Sequence, residues 1–388
     1  MPTHLHCAQA QVSPLAGIRV LDLSRLLPGP YCTLLLADLG AEVIKIETPL
    51  VGDYARTVTD FGGPAMFEAV NRNKKSVAIN YRHSRGKAIL LQLAQTTDVM
   101  IETFRPGAVK RWGIDYEAVS LVNPRIVYCS LSGYGQDGPY AHRAGHDLNY
   151  LALGGLLALN GTPGGPPIPP GVQIADLSGG MLAAMAILAA LVGRSGTGQG
   201  TFLDVAMLDA VASWAAPMAG VIQATSADGQ SPRGRMPLSG GLPCYNVYET
   251  ADGRFISLGA LEPHFWTAFC NAIQRSDLLP RQFDATAIDE LTQLFSQHTR
   301  DEWLELLGEA DACVEPVKEL EEALRDPHLL QRGLVTEHNT YGSPFRFAAR
   351  PDSSAAPALG QHTFEMLKQL GLNEQETRDL EKAGIIKG

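Results

Sequence analysis

The chain contains 388 residues, of which 45% are hydrophobic and 19% are charged, and its formal net charge is −10. These proportions are those of a folded globular protein and exclude a disordered chain. The negative charge argues against a general nucleic-acid-binding protein, although a local basic cluster could still hold an anionic small ligand. The length exceeds the size at which one hydrophobic core usually stops growing, so we expect two domains.

The N-terminal residues 1–14 lack the basic and then apolar regions of a secretory signal. The six cysteines include no Cys-x-x-Cys pair and no metal-binding spacing, which favours free thiols in a reducing compartment. We therefore expect a cytoplasmic protein. The longest apolar run, residues 181–193, is too short to span a bilayer, so it predicts a buried helix and no membrane association.

The first half of the chain alternates between short strands and helices. A predicted strand at 18–24 is followed by a Pro-Gly-Pro break at 28–30 and a predicted helix at 31–39. Further strands are predicted at 42–47, 76–80, 98–102 and 125–132, with a helix at 84–94. Strands that alternate with helices predict an α/β fold with a parallel sheet and helices on both of its faces.

The second half is richer in helices. Two predicted helices, 176–191 and 208–222, flank a predicted strand at 201–206. Ser, Gly and Pro are frequent at 226–241, which indicates a linker. The pattern then predicts a hairpin over 248–258 that turns at Asp252-Gly253, and helices at 262–273, 300–310, 362–370 and 373–383.

Residues 133–138 match the pattern G-x-G-x-x-G and follow a predicted strand. A dinucleotide-binding site also needs a helix that begins in this loop, with its N-terminus at the pyrophosphate. Here Pro139 follows the last glycine, and no acidic residue ends a later strand at the spacing expected for a ribose contact. We interpret the segment as a tight loop in which glycine allows the backbone to turn.

The segment 145–150, Gly-His-Asp-Leu-Asn-Tyr, lies at a predicted junction between a loop and a helix. His146 has the side chain best suited to proton transfer near neutral pH, although a single histidine is more often structural. Asp147 is either part of the same chemistry or an acidic residue that stabilises the first turn of the helix.

Two more acidic residues stand at predicted helix starts. Asp176 follows a loop rich in proline and glycine, and is either the N-cap of an apolar helix or a catalytic carboxylate. Glu262 directly precedes Pro263, and is either a capping residue or an acid that supports a catalytic group.

Basic residues accompany several of the predicted strands. Because ligands of open α/β sheets bind at strand ends, such cations could together hold a phosphorylated cofactor, or each could be solvated surface charge. The residues concerned are Lys45, Arg72, Lys75, Arg105 and Arg111.

An ordered series of motifs runs through the chain. It comprises LAGIRVLDLS at 15–24, PGP at 28–30, ADLGAEVIKIE at 37–47, RNKKS at 72–76, FRPG at 104–107, GYGQDGP at 133–139, LDVAM at 203–207, ADGR at 251–254 and DACVEPV at 311–317. From residue 15 onward this series resembles the family III CoA-transferases of the CaiB/BaiF type. The Gly-His-Asp-x-Asn-Tyr and Glu-Pro-x-Phe segments most resemble their α-methylacyl-CoA racemase branch.

This resemblance implies an open, Rossmann-like α/β domain and a smaller α+β domain, in two chains interlocked as a homodimer. It implies a large coenzyme A-binding domain from residues 15–206 and 334–388, and a small domain at 242–333. A short tail at 1–14 and a linker helix and crossing at 207–241 complete the chain. The expected partner is an acyl-CoA substrate, and coenzyme A enters as part of that substrate with no tightly bound cofactor.

The resemblance also assigns roles to individual residues. It implies that His146 and Asp176 are two bases on either side of the substrate α-carbon, with Glu262 as the partner of His146 and Asp147 beside the enolate. In a transferase, Asp176 would instead be a nucleophile that forms an aspartyl-CoA intermediate. The implied coenzyme-binding residues are Lys45, Arg72, Lys75, Arg105, Arg111 and Tyr150.

Overall fold

The computed structural model of this chain describes residues 13–225, 232–336, 340–346 and 354–388. Most of the predicted N-terminal tail and residues 226–231 of the predicted linker lie outside these ranges. The described strands are β1 (Arg19–Asp22), β2 (Glu42–Glu47), β3 (Lys74–Ile79), β4 (Val99–Glu102), β5 (Val127–Ser132), β6 (Thr201–Ala206), β7 (Tyr245–Glu249), β8 (Phe255–Gly259), β9 (Val314–Pro316) and β10 (Ile386–Lys387).

The helices of the first half are α1 (Pro28–Asp38), α2 (Gly63–Asn71), α3 (Ser84–Ala94), α4 (Ala108–Trp112), α5 (Tyr116–Val122), α6 (Asp147–Leu153), α7 (Leu156–Leu159) and α8 (Ile174–Thr197). Those of the second half are α9 (Met207–Thr225), α10 (Pro263–Ala272), α11 (Ala287–Phe295), α12 (Arg300–Leu307), α13 (Leu320–Ala323), α14 (Pro327–Gln331), α15 (Thr363–Gln369) and α16 (Glu374–Lys382).

The chain divides into two compact units. The first unit takes its described residues from Met1–Gly154, Gly171–Ser213 and Gly333–Gly388, and the second from Gly155–Pro170 and Trp214–Arg332. The domain limits expected from the sequence, including the linker at 207–241, stay predictions.

The first unit contains a seven-stranded sheet in the order β10-β3-β2-β1-β4-β5-β6. All neighbouring pairs are parallel except β10 with β3, which is antiparallel. The parallel α/β sheet predicted from the alternating pattern is therefore confirmed. The C-terminal segment completes this sheet, because β10 pairs with β3 and the Thr363 hydroxyl accepts a hydrogen bond from the Ala78 N–H.

Strand β3 begins two residues earlier than the sequence predicts. Two consecutive lysines at its start obscured the apolar pattern, but Lys74 is buried. Its ammonium group contacts the carboxylate of Asp22, the Thr33 hydroxyl and the Asn71 side-chain oxygen. Burial lowers the pKa of Lys74 to about 8, against the opposing effect of Asp22.

Helix α8 differs from the buried helix predicted from the sequence. It is longer than predicted, and one face packs on α1, β5 and β6 while Met181, Met185 and Val192 are exposed on another. Gly180 allows the close approach to α1, since a Cβ atom there would lie 2.5 Å from the Pro28 carbonyl oxygen. Among the described helices, α8 is the one with the length and apolarity needed to cross a membrane, and 39% of its apolar window is buried.

The second unit is built on a three-stranded antiparallel sheet in the order β7-β8-β9. The predicted hairpin is confirmed, with β7 and β8 on either side of the turn at Asp252-Gly253. Aromatic side chains fill its core: Tyr248 stacks on Phe295, and the Trp266 indole N–H donates to the Leu278 carbonyl oxygen at 3.1 Å. This unit contains both α and β structure, the class that the resemblance implies for the smaller domain.

Candidate active site

A cleft of about 210 Å³ opens in the first unit where β1, β4 and β5 reach their carboxyl ends. This edge is where open α/β sheets bind ligands. Both His146 and Asp176 line the cleft, together with Arg105 and Tyr150. We call it the reaction cleft. The structure thus brings together the two side chains that the sequence predicts to be catalytic.

The Gly-His-Asp turn is held by the polar groups of its own motif. The Tyr150 hydroxyl donates to the Gly145 carbonyl oxygen at 2.7 Å, and the His146 N–H donates to the Asn149 side-chain oxygen at 3.0 Å. Only glycine fits at 145, because a Cβ atom there would lie 2.7 Å from both the Tyr134 hydroxyl oxygen and the Tyr150 ring. His146 is therefore presented by a fixed backbone, with its side chain exposed.

The Asp147 carboxylate connects this turn to the start of α8. One of its oxygens accepts hydrogen bonds from the backbone N–H groups of Ala175 at 2.6 Å and Asp176 at 3.1 Å. The first N–H groups of a helix have no partner within it, so this carboxylate caps α8 from a neighbouring helix. Asp147 is thus a positioning residue, and it fixes where α8 begins relative to His146.

Asp176 lies in the first turn of α8 but is not its N-cap, which is Gln173. The capping alternative drawn from the sequence is therefore wrong, because Asp147 supplies the carboxylate that does this work. The Asp176 side chain accepts no hydrogen bond from any residue in the described ranges, and the residue lines the cleft. Burial, and then the nearby charge of Asp147, raise the pKa of Asp176 to about 7.

Tyr150 is a buried part of the cleft wall. Burial raises the pKa of Tyr150 to about 12, so the hydroxyl stays protonated and remains a donor to Gly145. Its ring meets that of Tyr134 edge-on at 5.0 Å. These contacts give it a role in holding the turn, while its contact with coenzyme A stays a prediction.

The loop with the pattern G-x-G-x-x-G has no helix after its last glycine, as expected for a tight loop. Gly135 and Gly138 have φ values of +88° and +81°, in the region that favours glycine. The Ser132 hydroxyl accepts the Gly135 N–H and the Asp204 carboxylate accepts the Gln136 N–H. The glycines therefore serve a turn after β5.

The five predicted phosphate-binding cations do not converge on one site. Arg105 lines the reaction cleft, whereas Arg111 is exposed on α4 and is absent from the cleft lining. Arg72 and Lys75 lie at the amino end of β3, the edge of a parallel sheet opposite to the one that binds ligands. Of this group, Arg105 alone is among the residues that line the reaction cleft with His146 and Asp176.

Three of the five cations form internal ion pairs, namely Arg72, Lys75 and Lys45. Arg72 forms two hydrogen bonds with Asp38, of 2.5 and 2.6 Å, and Lys75 pairs with Glu42 at 3.0 Å. The Lys45 side chain is fully buried and pairs with Asp53 at 3.0 Å. Their predicted contact with coenzyme phosphates stays a prediction, and in this conformation their charges are already compensated.

Glu262 lies in the second unit and is the residue before α10. Pro263 occupies the first turn of that helix, as predicted, but the Glu262 side chain accepts no backbone hydrogen bond there. The carboxylate is exposed. Glu262 is therefore the N-cap residue of α10 by position, as one alternative predicts, but without a capping hydrogen bond from its side chain. Its role as a partner of His146 stays a prediction.

Two arginines of the reaction cleft were not identified from the sequence. Arg25 follows β1 in the turn before α1, and Arg143 lies three residues before His146. Arg143 stacks on the Tyr140 ring at 3.8 Å. The position of Arg25 directly after a strand was a usable signal, because side chains after a parallel strand reach the ligand-binding edge of the sheet.

Comparisons with known proteins agree on one family. The family model described as CoA-transferase family III matches residues 15–363. Human alpha-methylacyl-CoA racemase is 34% identical, over 96% of this chain and 97% of its own length. Human succinyl-CoA:glutarate CoA-transferase is 33% identical, over 97% and 90% respectively. The crystal structure of a CaiB/BaiF family protein from Brucella suis has a TM-score of 0.80 and 29% identity, covering 93% of this chain and 100% of that one.

The role of Asp147 predicts the behaviour of an Asp147→Asn variant. The amide oxygen can still accept the two backbone hydrogen bonds, but the charge that raises the pKa of Asp176 is lost. We therefore expect the pKa of Asp176 to fall below about 7 while staying above its ordinary value, because burial remains. Titration of carbon-13-labelled aspartate carboxyl groups by NMR measures this, with Asp176→Asn to assign the signal.

Asp60→Asn is the matched control, since it removes an exposed carboxylate in the same unit. Asp147→Ala removes the acceptor as well, and should lower the free energy of unfolding by about 1 kcal/mol. An Asp176 titration that is identical in wild type and Asp147→Asn would contradict the electrostatic coupling.

Proposed function

The chain belongs to CoA-transferase family III, and on that premise we propose that it is an acyl-CoA racemase that exchanges the α-proton of a 2-methyl-branched acyl-CoA. The observation that carries this proposal is that His146 and Asp176 line the same cleft, with their backbones joined through Asp147. A racemase needs two proton-transferring groups at one carbon atom. His146 and Asp176 are groups of that kind.

In the proposed reaction, ionised Asp176 removes the α-proton from one face of the thioester, which becomes an enolate. Protonated His146 then returns a proton to the opposite face, and the exchange runs in reverse for the other epimer. We place the enolate oxygen near the backbone N–H of Asp147, the first residue of α6, where helix-start N–H groups are free to donate. A pKa near 7 lets Asp176 act as base in one direction and as acid in the other.

We further propose that coenzyme A enters and leaves as part of the substrate, with no tightly bound cofactor, in the cytoplasm. The active form would be an interlocked homodimer. The exposed apolar side chains Met181, Met185 and Val192 on α8 support an interface there, since exposed apolar patches commonly mark association sites.

A second candidate function is CoA transfer between carboxylic acids. It is favoured by Asp176, which lines the cleft and whose carboxylate has no hydrogen-bond acceptor role in the described ranges. The carboxylate would attack the thioester and release CoA thiolate, forming a mixed anhydride. The thiolate would then attack the aspartyl carbonyl, release the donor acid and leave an aspartyl-CoA thioester. An acceptor carboxylate would attack that thioester and expel CoA thiolate, and the thiolate would attack the acceptor carbonyl of the new anhydride, which forms the product acyl-CoA and frees Asp176.

The racemase proposal predicts epimerisation without any acceptor acid. Incubation of one epimer of a 2-methylacyl-CoA in deuterated water should give α-deuterated product of both configurations, measured by mass spectrometry and chiral chromatography. His146→Gln and Asp176→Asn should each slow epimerisation by about 10²- to 10⁴-fold, the usual contribution of a general acid or base.

His142→Gln is the matched control, because His142 is exposed four residues earlier and does not line the cleft. It should epimerise at the wild-type rate. Full epimerisation by His146→Gln would exclude the two-base mechanism, and absence of exchange across several branched acyl-CoAs would exclude the racemase.

The transferase alternative predicts a trapped intermediate. Hydroxylamine added during turnover with a donor acyl-CoA and a carboxylic acid should convert Asp176 to its hydroxamate, detected by peptide mass spectrometry. The Asp147 peptide is an internal control and should stay unmodified, since its carboxylate is occupied by backbone hydrogen bonds. An unmodified Asp176 during active transfer would count against this function.

The homodimer proposal predicts a sedimentation mass of about twice 41.7 kDa. Interlocked chains should not exchange subunits when differently labelled dimers are mixed, because separation would need unfolding. Met185→Glu should lower the fraction of dimer recovered after unfolding and refolding, whereas Leu121→Glu, a similar change at an exposed leucine of α5, should not. A monomeric wild type would refute the proposal.

A further inference from the structure

We propose that Arg25 is a phosphate-binding residue, whose guanidinium holds the diphosphate of coenzyme A where two clefts of the first unit meet. This inference rests on the proposed function, which supplies an acyl-CoA as the ligand. It assigns to Arg25 a phosphate contact of the kind that the resemblance implies for Lys45.

Arg25 lies between two clefts. The reaction cleft is on one side. On the other, a cleft of about 380 Å³ lies at the carboxyl ends of β1, β2 and β3, lined by the loop after β2 and by Asn80, Tyr81 and Arg82. We call it the strand-end cleft. Arg25 and Tyr54 line both clefts. A ligand that extended from one cleft to the other would pass this guanidinium.

Two aromatic rings hold the guanidinium of Arg25. Its central carbon lies 4.8 Å from the centre of the Tyr54 ring and 4.7 Å from that of the Phe104 ring. Stacking of this kind fixes a guanidinium plane and leaves its N–H edges for a ligand. The Arg25 guanidinium has no hydrogen bond or ion pair with any residue within the described ranges.

Hydrogen bonds also fix the backbone of Arg25 and of the residues on either side of it. Its own N–H donates to the Thr103 hydroxyl at 3.2 Å. On one side the buried Lys45 ammonium donates to the Ser24 carbonyl oxygen at 2.9 Å, and on the other the Leu26 N–H donates to Asp53 at 3.0 Å.

Lys45 and Asp53 also pair with each other, both with fully buried side chains. Leu26 has a φ of +64°, a region that side chains other than glycine rarely adopt. One buried ion pair thus holds both neighbours of Arg25 and fixes this unfavourable turn. Lys45 is therefore a positioning residue for Arg25.

The charge of Glu102 interacts with that of Arg25, but the two side chains form no ion pair within the described ranges. Glu102 accepts hydrogen bonds from the Ser130 hydroxyl at 2.5 Å and the Phe104 N–H at 2.6 Å, so its oxygens are occupied. Burial raises the pKa of Glu102 to about 7 against the smaller lowering effect of these bonds and of Arg25. A preorganised guanidinium is a site for an oxyanion.

The order of groups in coenzyme A identifies that oxyanion. The diphosphate joins the adenosine to the pantetheine arm, which carries the thioester. The proton-transfer pair occupies the reaction cleft, and the larger strand-end cleft has the position at which α/β sheets hold nucleotides. The group that would pass Arg25 is then the diphosphate, whose paired oxygens suit a two-point contact with arginine.

The test compares ligands that keep or lack the diphosphate. Calorimetry should show that Arg25→Gln weakens binding of CoA and of dephospho-CoA alike by roughly 10- to 100-fold, the range for a hydrogen bond to a charged group. Arg25→Lys should recover part of the loss. With acyl-pantetheine, which lacks the diphosphate, the KM for α-proton exchange should be the same in wild type and Arg25→Gln.

Arg85→Gln, at an exposed arginine of α3, is the matched control and should bind CoA as wild type does. Unchanged CoA affinity in Arg25→Gln, with a wild-type thermal transition, would overturn this inference and leave the racemase proposal intact. A loss that persists with acyl-pantetheine would also overturn it, because the contact would then be with the acyl or pantetheine group. If wild type binds CoA but catalyses no exchange, the racemase fails while the calorimetric test of Arg25 still stands.

Discussion

The candidate site depends on one carboxylate that joins two helix starts. Asp147 begins α6, directly after His146, and accepts the backbone N–H groups of Ala175 and Asp176 at the start of α8. Two segments that are distant in sequence are thereby held at a fixed separation. Because the bonds are to backbone atoms, they constrain the helix itself and leave the Asp176 side chain available for chemistry. Burial, and then the charge of this same carboxylate, raise the pKa of Asp176, so Asp147 affects both the position and the protonation of that residue.

A second polar framework lies beneath the strand ends. Asp22 is fully buried between two lysines, and their charges hold its pKa at about 2 even though burial alone would raise it. Lys45 and Asp53 form a neighbouring buried pair. Buried ion pairs often contribute little net stability, since the attraction is offset by lost hydration. Their consequence here is geometric, because they fix the turn after β1 at the edge of the sheet where ligands bind.

The strands, and His146 and Asp176 as candidate site residues, could be predicted from the sequence, whereas the partners of the polar side chains could not. Strands β2 and β5 were recognisable because β-branched and apolar residues dominate short segments. Local rules place a cap next to its helix and so offer Asp176 as one candidate for capping α8, but the acceptor comes from Asp147 on another helix. The cations at the start of β3 looked available for ligands because Asp38 and Glu42, their partners, lie on other elements.

The protonation of Asp176 bears on which chemistry this fold carries out. A carboxylate that acts only as a nucleophile is useful only when ionised, so a pKa near 7 would leave it partly inactive at neutral pH. A two-base exchange needs one group protonated and the other not, in either order, and is fastest when each pKa lies near the working pH. Burial, and then the charge of Asp147, together bring the pKa of Asp176 into that range. The raised pKa of Asp176 therefore supports the proposed proton exchange over acyl transfer.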